Sequence, residues 1–310
     1  MPHSDYYFCA IARTGAHIAC KGNTMPELPE VQTIVNELNS HVLPRTVIGL
    51  RECRPGTVVR RTDAPEPWRI TRASRRGKFI VLHGEHNIRL VAHLRMTGKF
   101  VFQSAEEAEA LYPSLTNTSH THVRAQFTFT DGSALLFIDP RTFGVIEVMT
   151  ARQARERLAG LGVEPLSKRF DTDYLQGIFL KRGTPVKALL LRQELIAGIG
   201  NIYASEILHR AGIAPQTPAA ALLADDLARL VSATRRVLRL AIRHGGTSIS
   251  DYRRVDDKTG EFQGMLRVYG KPQCRCGAVI QREMLAGRST WWCPQCQPLS
   301  DAKYLKGGHR

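Results

Sequence analysis

Val31, Ile34, Val35 and Leu38 recur at helical spacing behind Pro29, which predicts a helix over 29–38 with a proline in its first turn. The period then shortens. Apolar runs of strand length occupy 46–51, 79–83, 89–93, 99–102, 124–130, 134–139 and 145–149. Asp131-Gly132 separates two of them and is a strong hairpin signal. Many short strands with tight turns predict a β-sandwich, and the polar stretch 104–122 reads as a loop or insertion. From Ala151 the pattern turns helical. Thr184-Pro185 reads as an N-cap followed by a proline at the first helical position. Leu223, Leu227, Leu230, Val231, Leu238 and Ala241 mark a long helix over 222–244 that stops at Gly245-Gly246. Residues 266–297 read as a β-hairpin carrying cysteines. The expected fold is α+β and multidomain: an N-terminal β-sandwich with a flanking helix, a helical domain, and a C-terminal zinc-finger β-hairpin.

Charge narrows the partners. The 310 residues carry a formal net charge of +15, which favours a polyanion, nucleic acid ahead of an anionic membrane. No run of eighteen apolar residues occurs, which argues against a membrane span. Residues 1–24 contain no apolar core of a signal peptide. Four of the seven cysteines fall between Cys274 and Cys296, a spacing that suits metal rather than a disulfide framework and agrees with a reducing cytoplasm.

Cys293-x-x-Cys296 is a good zinc knuckle, and sixteen residues separate Cys276 from Cys293, as in ribbon-type sites. Cys274 and Cys276 are one residue apart, which narrows their geometry. The expectation is one structural Zn2+ held by Cys274, Cys276, Cys293 and Cys296; the alternatives are three good ligands with one poor one, or an empty site. Met25-Pro26-Glu27-Leu28-Pro29-Glu30-Val31 is either an ordinary helix start or the beginning of a mature protein. In the second case Pro26 has a secondary amine able to attack a sugar carbon, with Glu27 beside it to move a proton.

Five motifs in order carry a resemblance. They are the stretch from Met25 to Val31, Arg76-Gly77-Lys78-Phe79, His93 to Gly98, Asp139 to Gly144, and Gly198 to Glu206. With the cysteine-rich end, they make residues 25 to about 297 resemble the bacterial formamidopyrimidine-DNA glycosylases. That resemblance implies a bifunctional DNA glycosylase/AP lyase of base excision repair. Oxidised purines (8-oxoguanine, formamidopyrimidines) would be removed through a Schiff base on Pro26, and the strand cut by β,δ-elimination. The resemblance assigns Lys78 to the phosphate flanking the lesion, with His93 nearby. Met96, Arg141 and Phe143 fill the gap left by an everted base. Lys187 and Asn201, in a helix–two-turns–helix element, and Arg288, in the finger, bind DNA phosphates. A loop containing Ile249, Ser250, Asp251 and Tyr252 caps the lesion. Glu30 and Glu206 are secondary acidic groups, Glu206 equally an exposed helix residue.

Two departures stand out: the single residue between Cys274 and Cys276, where the family has two, and Thr142, where many relatives carry a second arginine. The loop length and the Pro-Glu-Leu-Pro-Glu start favour oxidised purines over a pyrimidine-preferring relative. A non-catalytic zinc-containing protein that binds damaged DNA is the reading from another class, if the leader is retained. The implied organisation is a leader over 1–25, a catalytic domain over 26–150, a helical domain over 151–262, a zinc finger over 263–298 and a basic tail over 299–310. The implied protein is a monomer acting on double-stranded DNA in the bacterial cytoplasm, associated with the nucleoid, with no redox or nucleotide cofactor. Its active form is expected to begin at Pro26, because an amide nitrogen cannot form an iminium ion.

Overall fold

The computed structural model describes residues 25–111, 122–247 and 260–299. The leader up to Thr24, the loop residues Ile249, Ser250, Asp251 and Tyr252, and the tail beyond Leu299 lie outside the described residues. The first helix, α1 (Leu28–Glu37), starts one residue earlier than its apolar spacing indicated. Glu27 N donates to Glu30 Oε2 at 2.9 Å and closes the first turn, where Pro29 needs no N–H.

Nine strands follow: β1 (Arg45–Glu52), β2 (Val58–Arg60), β3 (Trp68–Arg76), β4 (Phe79–Gly84), β5 (Ile88–His93), β6 (Lys99–Gln103), β7 (Val123–Phe129), β8 (Ala134–Ile138) and β9 (Val145–Thr150). They form one sheet in the order β2-β9-β5-β4-β3-β1-β7-β8-β6. Its pairs are antiparallel except β2 with β9. β1 is the corner. Arg45 to Val47 pair with β3, and Val47 to Glu52 pair with β7 across a register shift. The two halves of the sheet therefore face each other over one core, with Leu82, Leu90 and Ile146 from one half meeting Phe100, Phe127 and Phe137 from the other. Every predicted strand is present. β2 and β3 were not anticipated: β3 buries Trp68, Ile70 and Ala73 between arginines and Thr71, so its apolar run is broken. A short helix, α2 (Ala105–Leu111), opens the stretch read as polar loop.

The second half contains α3 (Ala151–Leu158), α4 (Thr172–Phe179), α5 (Val186–Leu190), α6 (Asn201–Ala211) and α7 (Ala224–Arg243). Pro185 is the residue before α5 rather than its first position, since its ψ of 134° is extended. Gly212 ends α6 at a φ of +68°. These helices close on a second core that includes Phe170, Phe179, Tyr203, Leu230 and Leu238. Leu28 belongs to this second core, whereas Val31, Ile34 and Leu38 belong to the first. One helix thus bridges both cores and fixes Pro26 and Glu27 between them. The last unit is a hairpin, β10 (Gln281–Leu285) with β11 (Arg288–Trp292), narrower than its predicted span because the cysteines sit on flanking turns. Among the described residues no helix is long and apolar enough to cross a membrane.

Candidate active-site cleft and nucleic-acid interface

The N-terminus of α6 receives a buried carboxylate. Glu27 projects onto it, 3% exposed. Its Oε2 accepts from Gly200 N (2.8 Å) and Tyr203 N (3.3 Å), and its Oε1 from Ile202 N (2.9 Å). These N–H groups have no partner within the helix and favour a carboxylate. A Cβ on Gly200 would lie 2.3 Å from Glu27 Cδ, so only glycine permits the approach. Burial nevertheless raises the Glu27 pKa to about 7; Lys78 and the helix N–H groups oppose the rise and Glu30 adds to it.

Around Glu27 lies a cleft of about 630 Å³, lined among others by Met25, Lys78, His93, Asn201 and Arg288. Met25 and Glu27 both line it, and Pro26 between them is buried. Burial pushes the Lys78 pKa down against the pull of Glu27 and Glu30, and Arg288 lowers it further. His93 is buried; its Nδ1 accepts from Arg95 N (3.0 Å), and Phe79 meets its ring edge-on at 4.6 Å. Burial and nearby cations lower its pKa to about 3. His93 therefore offers the cleft a neutral imidazole, not a charge.

At the rim, two loops of the sandwich are tied through Asp139, which is fully buried. It accepts from Thr97 Oγ1, from Arg141 N (3.2 Å) and from Gly144 N (2.7 Å). Met96, Arg141 and Phe143 stand on these loops. Phe143 is 52% exposed, and the Arg141 guanidinium lies 4.9 Å from its ring centre. Arg141 Nη1 is buried and has no hydrogen-bond partner among the described residues. Thr142 between them has a φ of +58°, an uncommon conformation for a β-branched residue.

Three family models match in chain order. The formamidopyrimidine-DNA glycosylase N-terminal domain covers residues 25–146, the H2TH domain of the same enzymes covers 161–253, and a zinc finger found in FPG and IleRS covers 275–299. The formamidopyrimidine-DNA glycosylase of Heliobacterium modesticaldum is 42% identical over 286 residues, 88% of this chain and 100% of that one. The chain belongs to the formamidopyrimidine-DNA glycosylase family. It is a DNA glycosylase of base excision repair. The fold agrees: a Lactococcus lactis FPG mutant in complex with Fapy-dG-containing DNA superposes with a TM-score of 0.78 at 33% identity, over 88% of this chain and 100% of that one. The MutM (FPG) protein of Thermus thermophilus gives 0.75 at 39% identity, over 88% and 98%.

The glycosylase's four finger cysteines fit one zinc ion. Their sulfurs all lie within 4.8 Å of one another, with Cys274 to Cys296 at 3.8 Å and Cys276 to Cys293 at 3.4 Å. Tetrahedral zinc at about 2.3 Å from each sulfur requires sulfur separations of about 3.8 Å. The shortened first pair therefore still brings its two thiols to the site, and a filled four-sulfur shell makes the metal structural.

Two of the acid and base residues singled out from the sequence occupy other positions than expected. Lys187 is 1% exposed, and its Nζ donates to Asn201 Oδ1 (2.7 Å), Thr290 Oγ1 (2.9 Å) and Ser289 O (3.1 Å). All three ammonium protons are used inside the protein, so Lys187 joins α5, α6 and the hairpin instead of presenting a charge to phosphate. Asn201 Nδ2 donates to Ser289 O (2.9 Å) in the same joint. Glu206 is not an exposed helix residue. At 3% exposure it accepts from the backbone N–H groups of Arg267, Val268 and Tyr269 at 2.8–3.0 Å, and so fixes the segment leading to the finger. Glu30 accepts from Tyr203 Oη (2.5 Å), Thr247 N (2.7 Å) and Thr247 Oγ1 (2.9 Å), tying α1 to the root of the segment that follows Thr247.

Glu164 was missed. Its carboxylate accepts from Gly77 N (2.6 Å), Arg75 Nη2 (2.6 Å) and Arg76 Nη1 (3.1 Å), and so fixes the turn before Lys78 to the helical half. Its partners are almost ninety residues away along the chain, and nothing local marks it.

Proposed function

We propose that this glycosylase excises oxidised purines, 8-oxoguanine and formamidopyrimidines, from double-stranded DNA and then cuts the strand as an AP lyase. The observation that carries this reading is the convergence of Glu27, Lys78 and Arg288 on one cleft beside Pro26. Released from residue 25, Pro26 is a secondary amine. Its lone pair forms a bond to the sugar C1′ while the bond from C1′ to the base breaks, and the electron pair leaves with the base. Glu27, with a pKa of about 7, is partly protonated near neutral pH and supplies a proton to the departing side. Loss of the amine proton and opening of the ring give an iminium ion. That ion acidifies a C2′ proton; its removal expels the 3′ phosphate, and a second elimination expels the 5′ phosphate. Water then releases Pro26.

The remaining residues fit this course. Lys78 and Arg288 offer charge, and His93 and Asn201 hydrogen bonds, to the phosphates around the everted nucleotide. Phe143 and Met96 are apolar wedges for the opened stack, and the unpartnered Arg141 Nη1 suits a base that has lost its partner. Lactococcus lactis Fpg has been solved with abasic-site DNA and, as a mutant, with Fapy-dG-containing DNA, which supports the same partner class here. Domain limits of 26–150, 151–262 and 263–298, a monomeric state and a nucleoid-associated cytoplasmic location complete the reading. Borohydride trapping on abasic duplex DNA tests it: a covalent adduct is expected, and binding without an adduct would instead favour a non-catalytic damage-binding protein.

A further inference from the structure

We infer that His209 is a working part of the metal centre: its Nε2–H donates to the Cys274 sulfur and holds that ligand in place where the first cysteine pair is shortened. The inference rests on the zinc assignment above. His209 occupies the last turn of α6, and its Nε2 lies 3.4 Å from Cys274 Sγ. The compact group of potential ligand atoms is the four sulfurs, and His209 is not in it. The imidazole therefore approaches Cys274 from outside the sulfur cage, as a donor rather than a ligand.

The charge of the site gives such a donor its use. Four thiolates around Zn2+ leave a net charge of −2, which N–H groups pointing at sulfur offset. In the second pair the two-residue gap supplies one internally, from Cys296 N to Cys293 Sγ at 3.4 Å. Cys274-x-Cys276 is one residue too short to form the same turn, and its sulfurs take tighter backbone contacts, from Cys276 to Cys274 and from Ala278 to Cys276. His209 adds a donor from another element to Cys274, reaching across from α6.

α6 is well suited to provide it. Glu206, one turn earlier, holds the backbone of residues 267–269, and Gln297 Nε2 reaches Ile213 O (2.8 Å) just beyond the end of the helix. The finger is thus docked along the length of α6, with His209 fixed against Cys274. The same helix receives Glu27 at its other end. His209 is accordingly a positioning residue for the metal, outside the cleft.

Partners of metal ligands typically change affinity by about 10–100-fold. His209→Phe in the full chain should weaken zinc binding by about that factor in chelator competition. The cobalt-substituted variant should keep the charge-transfer and ligand-field spectrum of a four-sulfur site. His209→Gln, whose amide reaches as far as Nε2, should recover most of the affinity. His209→Asn, one bond too short, should show the loss seen with phenylalanine, and decides the matter if the phenylalanine variant does not fold. Wild-type zinc affinity in the phenylalanine or asparagine variant would overturn the inference, as would a wild-type cobalt spectrum with a nitrogen ligand that disappears on substitution. A wild-type protein that binds no zinc would refute the metal assignment instead.

Discussion

Glu27→Gln separates the electrostatic cost of the active site from its hydrogen bonds. Burial holds the Glu27 pKa at about 7, against 4.5 for the unperturbed group. The sign follows from linkage. Below pH 4.5 the carboxyl is protonated in both folded and unfolded chains and contributes no difference. As pH rises, the unfolded chain releases its proton first, so folding is increasingly disfavoured until the folded group also ionises near pH 7. A shift of about 2.5 units corresponds to about 3 kcal/mol at 1.36 kcal/mol per unit. Glutamine removes this pH-dependent penalty; because both carboxylate oxygens accept from α6, its NH2 also forfeits one set of those hydrogen bonds, a cost that does not vary with pH. The stability difference between variant and wild type should therefore move in the variant's favour by about 3 kcal/mol as pH is raised from 4.5 to 8. The assay is urea unfolding at half-unit pH steps. Single-turnover base excision, followed in parallel, should fall in wild type as pH rises through about 7 and be slow and flat in the variant. Stability curves that run parallel from pH 4.5 to pH 8 would refute the buried, protonated Glu27.

Other perturbations separate residues that look alike in sequence. Lys78→Ala should weaken binding to damaged and undamaged duplex alike and reduce the slope of log K against log salt by about 0.9 for the phosphate it neutralises; an unchanged slope removes Lys78 from the contact set. Lys187→Met should leave that slope unchanged and instead lower stability, by about 2–4 kcal/mol for three acceptors, one buried and two partly buried, that lose a charged donor, as read by denaturant midpoint. Zinc chelation should lower DNA affinity while protease resistance of the sandwich persists, because its core contains no finger residue; unfolding of the sandwich on chelation would contradict that separation.

Lys78 and Lys187 also mark how far sequence reaches. Both are lysines next to motif residues, and both read as phosphate ligands. Only the fold reveals that one lines the cleft and the other meets three acceptors from elements far apart in the chain. Glu206 is similar: its three N–H partners lie about sixty residues downstream, so helical spacing alone leaves it open between a secondary acidic group and an exposed residue. α1 and most strands were legible because their apolar positions follow one period with clear turn residues. β3 was not, because arginines interrupt a strand whose buried face is only Trp68, Ile70 and Ala73. The zinc ligands were legible from spacing, and the donor to Cys274 was not. What stayed hidden, in each case, is which polar groups the tertiary contacts bury.

The Pro26 nitrogen stands at the centre of the proposed chemistry, as its nucleophile. As a tertiary amide behind Met25 it has no available lone pair; as a free terminus it is an amine with a reference pKa near 7.7–8.0. The direct measurement compares two proteins, one shown by mass spectrometry to begin at Pro26 and one shown to retain Met1 through Thr24. Each is trapped with borohydride on abasic DNA, and the cross-linked residue is identified by peptide sequencing. The expected result is an adduct on Pro26 in the first protein and none in the second. Equal trapping in a protein that retains the leader would contradict it and transfer the chemistry to an internal amine, with Lys78 the first to test.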